Sequence, residues 1–250
     1  MRLSIALITF NEVSRLPACL ASVAFADEVV VVDNGSTDGT VELARLFGAR
    51  VLQTPDWPGF GPQKNRAVDL ASGEWVLSID ADEQVTPELR TQILAAIAAA
   101  DASGCVAYSI SRRSSYCGQY MRHSGWYPDR VLRLFRRGHA RFSDHAVHES
   151  LHADGPVGQL EGDLLHQSFA DFESVLDKVN RYSTASAQAL AARGKRGSVG
   201  KALAHGWWAF FRTYVLKRGF MDGQLGLALA ISNAEGTYYR YLKLWLAQRA

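Results

Sequence analysis

The segment Glu28-Val29-Val30-Val31-Val32-Asp33 constrains this chain more than any other. A run of four valines with no polar residue suits a strand covered on both faces, which belongs to a sheet flanked by helices. Its surroundings alternate accordingly. Leu3–Phe10 predicts a strand, and Ser14–Val23 a helix with Leu16, Leu20 and Val23 on one face. Asn34-Gly35-Ser36-Thr37-Asp38-Gly39 is dense in turn and cap residues. Thr40–Phe47 then predicts a helix and Arg50–Gln53 a short strand. Thr54–Gly61 carries two prolines and two glycines and predicts a loop, with Pro62 opening a helix to about Leu70. Glu74–Asp80 predicts a further strand. Thr86-Pro87-Glu88 supplies a cap, a proline and an acid for a helix to about Ala100. This order predicts an α/β domain with a mostly parallel sheet flanked by helices.

Beyond residue 100 the pattern changes. Cys105–Arg112, Arg130–Arg136 and Gln159–His166 predict strands. From Asp171 the chain predicts helices over Phe172–Arg193, Val199–Arg218 and Gly223–Arg249, with a basic hinge at 193–200. The expected division is one α/β domain over 1–170, made of an alternating part over 1–112 and a strand-rich part over 113–170. A helical appendage follows over 171–250.

The 250 residues, 48% hydrophobic and 21% charged, exclude disorder, collagen and a disulfide scaffold. Cys19, Cys105 and Cys117 lack metal-ligand spacing and read as reduced thiols of a cytoplasmic protein. The N-terminal apolar run leads into Asn11-Glu12 and reads as a buried strand rather than a signal peptide. No uncharged apolar run approaches the ~18–20 residues needed to span a bilayer. The net charge of +2 conceals an asymmetry. Residues 193–250 hold ten Lys/Arg against two Asp/Glu, a net +8, and residues 1–192 hold seventeen against twenty-three, a net −6. A basic tail on an acidic body points to an anionic partner for the tail.

Ligands of open α/β sheets bind at the carboxyl ends of the strands. Polar clusters fall there: Thr9-Phe10-Asn11-Glu12, Asp33-Asn34-Gly35-Ser36 and Asp80-Ala81-Asp82-Glu83, with Gln63-Lys64-Asn65-Arg66 opening a helix. Asp80 and Asp82, alternate carboxylates after a strand, suit one hard cation such as Mg²⁺ or Mn²⁺ shared with substrate phosphates; a solvated acidic turn is the other reading. Lys64 and Arg66, expected in the first turn of a helix where the macrodipole disfavours cations, would be reconciled by a bound anion. Asp33 could accept from a base imide or cap its own turn.

These clusters, in this order, resemble the inverting glycosyltransferases of family 2, whose fold is the Rossmann-like GT-A fold. The matching residues are Thr9-Phe10-Asn11-Glu12, the run from Val32 to Thr40, Lys64-Asn65-Arg66-Ala67 and Asp80-Ala81-Asp82-Glu83. The resemblance implies a nucleotide-sugar donor, with Thr9, Asn11 and Glu12 near the nucleoside, Asp33 reading the base, and Lys64, Arg66 and Asp80 at the donor. It makes Asp80-x-Asp82 the metal motif, with His166 as a further ligand by analogy; a satisfied buried histidine is the other reading of His166. Trp126–Arg130, Val147-His148-Glu149, Leu165-His166 and Gly219–Gly223 are similar to lipopolysaccharide-core β-1,4-glucosyltransferases. That likeness implies glucose from UDP-glucose and a lipid-linked saccharide acceptor, with 1–170 as the catalytic domain, its donor site in 1–112 and its acceptor side in 113–170. The Q-x-x-R-W motif of processive synthases does not occur, which favours one transfer per acceptor.

Inversion needs a base opposite the leaving diphosphate. Glu149 is the first candidate, Asp129 the second and Asp144 the third. His148-Glu149-Ser150-Leu151-His152 also matches H-E-x-x-H, a zinc-protease motif that requires a helix, yet Asp154-Gly155-Pro156 follows at once. A non-catalytic membrane or glycan-binding module is a third class, opposed by the intact Asp80-Ala81-Asp82. A redox dinucleotide enzyme is opposed by the absence of G-x-G-x-x-G after the first strand. In the tail, Trp207-Trp208-Ala209-Phe210-Phe211-Arg212-Thr213-Tyr214 and Tyr238-Tyr239-Arg240-Tyr241-Leu242-Lys243-Leu244-Trp245 interleave aromatic and basic residues, with Trp207, Trp208 and Trp245 as the expected interfacial contacts. Such helices lie in a bilayer interface or cap a domain. The expected partners are the donor, the acceptor and an anionic membrane surface, without nucleic acid. The expected place is the cytoplasmic face of the inner membrane.

Overall fold

The computed structural model describes residues 2–143 and 150–249. The chain gathers into two compact units, Met1–Arg112 with Asp129–His166, and Arg113–Pro128 with Gln167–Ala250.

The first unit grows from the valine run. Its strands are β1 (Leu3–Thr9), β2 (Glu28–Asp33), β3 (Arg50–Gln53), β4 (Trp75–Ser78), β5 (Glu83–Val85), the start of β6 (Ala107–Tyr116), β8 (Asp129–Arg136), β9 (Ala140–Phe142), β10 (Leu151–Ala153) and most of β11 (Val157–Phe169). Its helices are α1 (Leu16–Ser22), α2 (Thr40–Leu46), α3 (Phe60–Leu70), α4 (Pro87–Ala98) and α5 (Ala100–Ser103). The main sheet runs β3-β2-β1-β4-β8-β6-β11-β5. Its first four strands pair in parallel. β8 runs antiparallel to both β4 and β6, and β11 runs antiparallel to β5. The expected α/β architecture is present, and its antiparallel pairings involve β5 and the strands after residue 100. β9 and β10 form a separate antiparallel pair.

The period of a strand divides the core into two layers. Leu3, Ile5 and Leu7 of β1 and Trp75 and Leu77 of β4 face Leu16 and Leu20 of α1 and Leu89 and Ile93 of α4. Ala6, Val32 and Val76 face Ala67 and Val68 of α3, joined by Phe135 and Phe142. Full burial of an apolar side chain of this size contributes roughly 1.5–3 kcal/mol. The two layers therefore pin both faces of the strands whose ends carry the polar clusters.

Two local expectations change. α3 begins at Phe60, behind Gly59 at φ 107°, so Pro62 is its third residue. Proline is tolerated there because N–H groups of the first turn have no partner inside the helix. Lys64 thus lies past the first turn, and the expected conflict with the macrodipole disappears. The protease reading also fails at His152, which lies in β10, with Nε2 2.7 Å from Ser150 Oγ. Histidines one helical turn apart need a helix that a strand does not supply. His148 and Glu149 of that motif lie outside the described residues.

The second unit holds the end of β6, β7 (Gln119–Tyr120), the end of β11 and three long helices: α6 (Phe172–Ala192), α7 (Val199–Phe211) and α8 (Gly223–Ala247). α7 runs on as a π-helical turn over Arg212–Leu216, and a 3₁₀ turn over Gly219–Asp222 leads into α8. Asp222, nearly buried, ties the unit together. Its carboxylate accepts from the backbone N–H groups of Arg122 (3.1 Å) and His123 (3.0 Å) and from Ser124 Oγ (3.1 Å). Tyr116, Met121, Val175 and Leu229 form the unit's buried core.

Candidate active site

The parallel register of β1 and β2 sets Thr9 beside Asp33, so the loops leaving the two strands are neighbours. Their side chains bind them together. Asn11, at φ 55°, accepts the Thr37 N–H on Oδ1 (2.9 Å) and donates its own N–H to Ser36 Oγ (2.8 Å). Asparagine is among the residues that tolerate this left-handed conformation. Glu12 N donates to Thr40 Oγ1 (2.8 Å) and Val13 N to Asp38 Oδ2 (3.1 Å). Asp33 is fully buried. Oδ1 accepts from Gly35 N (3.0 Å) and Ser36 N (2.9 Å), and Oδ2 from Thr9 Oγ1 (2.9 Å) and Ser36 Oγ (2.5 Å). In this arrangement Asp33 shapes the loop, and reading a base would require Ser36 Oγ to turn away.

The end of β4 carries the charged centre. Glu83 N donates to Asp80 O (2.9 Å) and Asp80 N donates to Glu83 Oε2 (2.9 Å), closing a tight turn. The turn separates the two aspartates expected to act together. Asp80 and Glu83 meet the guanidinium of Arg133, at 2.8 and 2.7 Å, while Lys64 Nζ reaches the other oxygen of Asp80 at 2.8 Å. Asp82 instead lies 3.4 Å from His166 Nε2. Glu83 is fully buried, and Lys64 and Arg133 are each 6% exposed. Burial pushes the Asp80 carboxyl up, but Lys64 and Arg133 overcome it and hold it well below the usual carboxylate range. Burial dominates at Glu83 and raises it, against the pull of Arg133 and with a further push from Asp80. Burial disfavours the Arg133 charge, yet Glu83 and Asp80 hold that charge more firmly than in an exposed arginine.

A cleft of about 290 Å³ opens over this centre. Thr9 lines it from the end of β1, Phe10 and Glu12 from the loop that follows, Lys64 from α3, Asp80 and Asp82 from the turn, and His166 from β11. Glu12 is raised by burial, opposed by Arg15 and reinforced by Asp82, Asp38 and Asp80. The expected residues Thr9, Glu12, Lys64, Asp80, Asp82 and His166 thus share one cleft. Asn11 and Asp33 support its wall. Arg66 does not line it: its guanidinium binds Asp56 at 3.0 and 2.6 Å and Gln63 Oε1 at 3.0 Å, bracing the loop before α3. Asp129 is held by Arg112, at 2.7 Å. Asp144 and Glu149 lie outside the described residues. The flanks of their segment are joined by a hydrogen bond from Ser143 N to Ser150 O (2.9 Å). Next to Ser143, the Phe142 backbone N–H donates to Asn65 Oδ1 (2.9 Å) and its carbonyl accepts from Asn65 Nδ2 (3.0 Å), and the Phe142 ring lies 5.5 Å from Lys64 Nζ.

Sequence reasoning passed over Arg133. Alternation with Val131, Leu132, Leu134 and Phe135 reads as an outward arginine, but β8 is an interior strand of the sheet. The register opposes Leu134 to Leu77, which brings Arg133 to the end of β4. Trp57 and Phe60, exposed at the cleft and packed edge to face at 4.9 Å, were also missed inside a segment read only as a loop.

The fold and cleft define an α/β protein that binds a ligand at the carboxyl ends of parallel strands, over a centre of buried cations and carboxylates. The sequence profile of Glycosyl transferase family 2 matches residues 4–151. The chain belongs to that family and is a glycosyltransferase that uses a nucleotide sugar. An uncharacterized glycosyltransferase of Rickettsia typhi is 31% identical over 97% of this chain and 86% of its own length. The lipopolysaccharide core biosynthesis glycosyltransferase LpsC of Rhizobium meliloti is 32% identical over 96% and 93%. Among solved structures, S. aureus TarS 1–349 in complex with UDP-GlcNAc superposes with a TM-score of 0.54 at 16% identity, covering 100% of this chain and 92% of that one. The fold is GT-A.

Proposed function

We propose that the protein transfers one glucose, with inversion, from UDP-glucose to a lipid-linked saccharide such as the lipopolysaccharide inner core. In this reading it works at the cytoplasmic face of the inner membrane. The likeness to LpsC supports the acceptor class. The observation that carries the donor site is the cleft in which Asp82 and His166 stand beside the Lys64–Asp80–Arg133–Glu83 cluster.

The residues present fit a divalent cation shared with a diphosphate. Among the described residues no group of three acid, histidine or cysteine side chains could enclose an ion. Mg²⁺ and Mn²⁺ commonly take one or two protein ligands and draw the rest from phosphate and water. Asp80, expected as a ligand, has both oxygens on Lys64 and Arg133, so the ligand role falls to Asp82 and His166. The cation, when bound, would neutralise charge developing on the leaving diphosphate. Asp80 and Glu83 hold the turn against Arg133 and so aim Asp82 into the cleft. Lys64, fixed by Asp80, presents its charge at the same place, pre-organised for the leaving group.

The acceptor hydroxyl attacks the anomeric carbon from the face opposite UDP, the bond to the diphosphate oxygen breaks, and a base takes the hydroxyl proton. Glu149 is the proposed base. The likeness of Val147-His148-Glu149 to the lipopolysaccharide-core transferases supports it. Asp129, already engaged by Arg112, is the next candidate. Replacing Glu149 with glutamine should lower transfer by ~10²–10⁴-fold while donor affinity stays unchanged. Retained turnover in Glu149→Gln together with loss in Asp129→Asn would move the base to Asp129.

A further inference from the structure

α7 is built inside out for a helix in water. Its buried face carries small residues: Ala202, Gly206 and Ala209, followed by Thr213. This face packs against α8, so closely that a Cβ on Gly206 would come within 3.2 Å of Tyr238 Cβ. The large apolar side chains point away from α8. Leu203 is 59% exposed, Trp207 65% and Trp208 49%, and Val199, Val215 and Leu216 are exposed with them. An amphipathic helix of a water-soluble domain turns its large apolar side chains inward.

The exposed side chains are ordered among themselves. Trp207 stacks on Phe211 with ring centroids 5.4 Å apart, and Trp208 lies 6.0 Å from the same ring. Cations flank this ridge. From Lys195 to Met221 the chain has six Lys/Arg (Lys195, Arg196, Lys201, Arg212, Lys217 and Arg218) and no Asp or Glu. Lys201, Trp208 and Arg212, at i, i+7 and i+11, fall along one side of the helix. Trp245, expected to share the exposed surface, is only partly exposed and packs under Arg249 at 4.8 Å.

We propose that the outer face of α7 and its following turn is an interfacial docking surface for an anionic lipid bilayer. Tryptophan rings suit the boundary between acyl chains and headgroups, and flanking lysines and arginines complement anionic headgroups. A second copy of the chain is a poorer occupant, because a two-fold contact would set this acid-free basic surface against itself. No helix among the described residues is long and apolar enough to cross a membrane, consistent with a surface that lies on the bilayer. The inference deepens the reading of a lipid-linked acceptor, but its test needs neither donor nor acceptor.

The full chain is sedimented with vesicles of phosphatidylcholine alone and with vesicles containing about a third phosphatidylglycerol, across a salt series. Binding should be at least about tenfold stronger to the anionic vesicles and should weaken as salt rises. Leu203→Gln with Trp207→Gln should lower binding to both vesicles by about tenfold or more. Lys201→Gln, Arg212→Gln and Lys217→Gln together should remove the preference for anionic lipid. All these side chains are exposed, so far-UV circular dichroism should not change. Hydrolysis of the donor should not change either, which separates a failure here from a failure of the glycosyltransferase reading. Equal binding to neutral and anionic vesicles, or binding to neither, would overturn the proposal. A lipid-free dimer that Trp207→Gln converts to monomer would overturn it too, and would make the face a protein interface.

Discussion

Replacing Arg133 with methionine should lower the melting temperature by about 10 °C. The change leaves Glu83, with no exposed side-chain surface, facing Asp80 without the guanidinium between them and with only the more distant Arg112, at 3.8 Å, as its cation. Breaking a buried ion pair by removing one partner costs about 3–5 kcal/mol, because the remaining charge is buried and uncompensated. For a domain of this size each kcal/mol moves the melting temperature by about 2–4 °C. The double variant Arg133→Met with Glu83→Gln removes the stranded charge along with its partner and should recover a large part of the loss. Thermal unfolding of the single and double variants checks this. Equal losses in Arg133→Met and the double variant would mean that Arg133 acts through packing and not through charge. Donor binding should weaken in the single variant as well, since the turn that aims Asp82 loses its anchor.

Asp82→Asn should do the reverse, leaving the fold intact and removing the chemistry. Asp82 is 22% exposed and its neighbour is His166, with Nε2 at 3.4 Å, so the melting temperature should stay within about 1 °C of the parent. Transfer should fall by about a thousandfold, the scale of several kcal/mol of charge stabilisation by a metal ion. Chelation of divalent cations should bring the parent down to the same level and should not slow the variant further. A folded Asp82→Asn protein with full activity, or a parent indifferent to chelator, would take the cation out of the mechanism.

The contrast between these variants marks how far the sequence could be read. The parallel half of the sheet was legible because a both-faces-buried strand has no polar residue to confuse, and because caps and prolines punctuate the helices around it. The cleft was legible for the same reason: strand ends are where an α/β sheet places its ligand, and Thr9, Glu12, Lys64, Asp80, Asp82 and His166 all reach it. What the residues did not reveal was how Asp80 and Asp82 divide their work. That depends on a turn closed by Glu83 and on Arg133, fifty residues away in the chain and adjacent only through the antiparallel pairing of β8 with β4. A period-two pattern reports alternation, and it cannot report that the polar face of one strand meets the acidic end of another. Arg66 shows the same limit, since a basic residue next to Lys64 in sequence turns to Asp56 in space. The inverted face of α7 was half legible. Its aromatic and basic composition was plain, but only the packing of Gly206 and its small neighbours on α8 shows which side is left outside.

The most direct test of the central claim is release of nucleoside diphosphate from a panel of nucleotide sugars, with Mg²⁺ or Mn²⁺, by the parent protein and by Asp82→Asn. UDP should be released from a UDP-sugar, UDP-glucose foremost, in a reaction dependent on the cation and lost in the variant. Turnover of no nucleotide sugar in the panel, with no nucleotide able to raise the melting temperature, would contradict it.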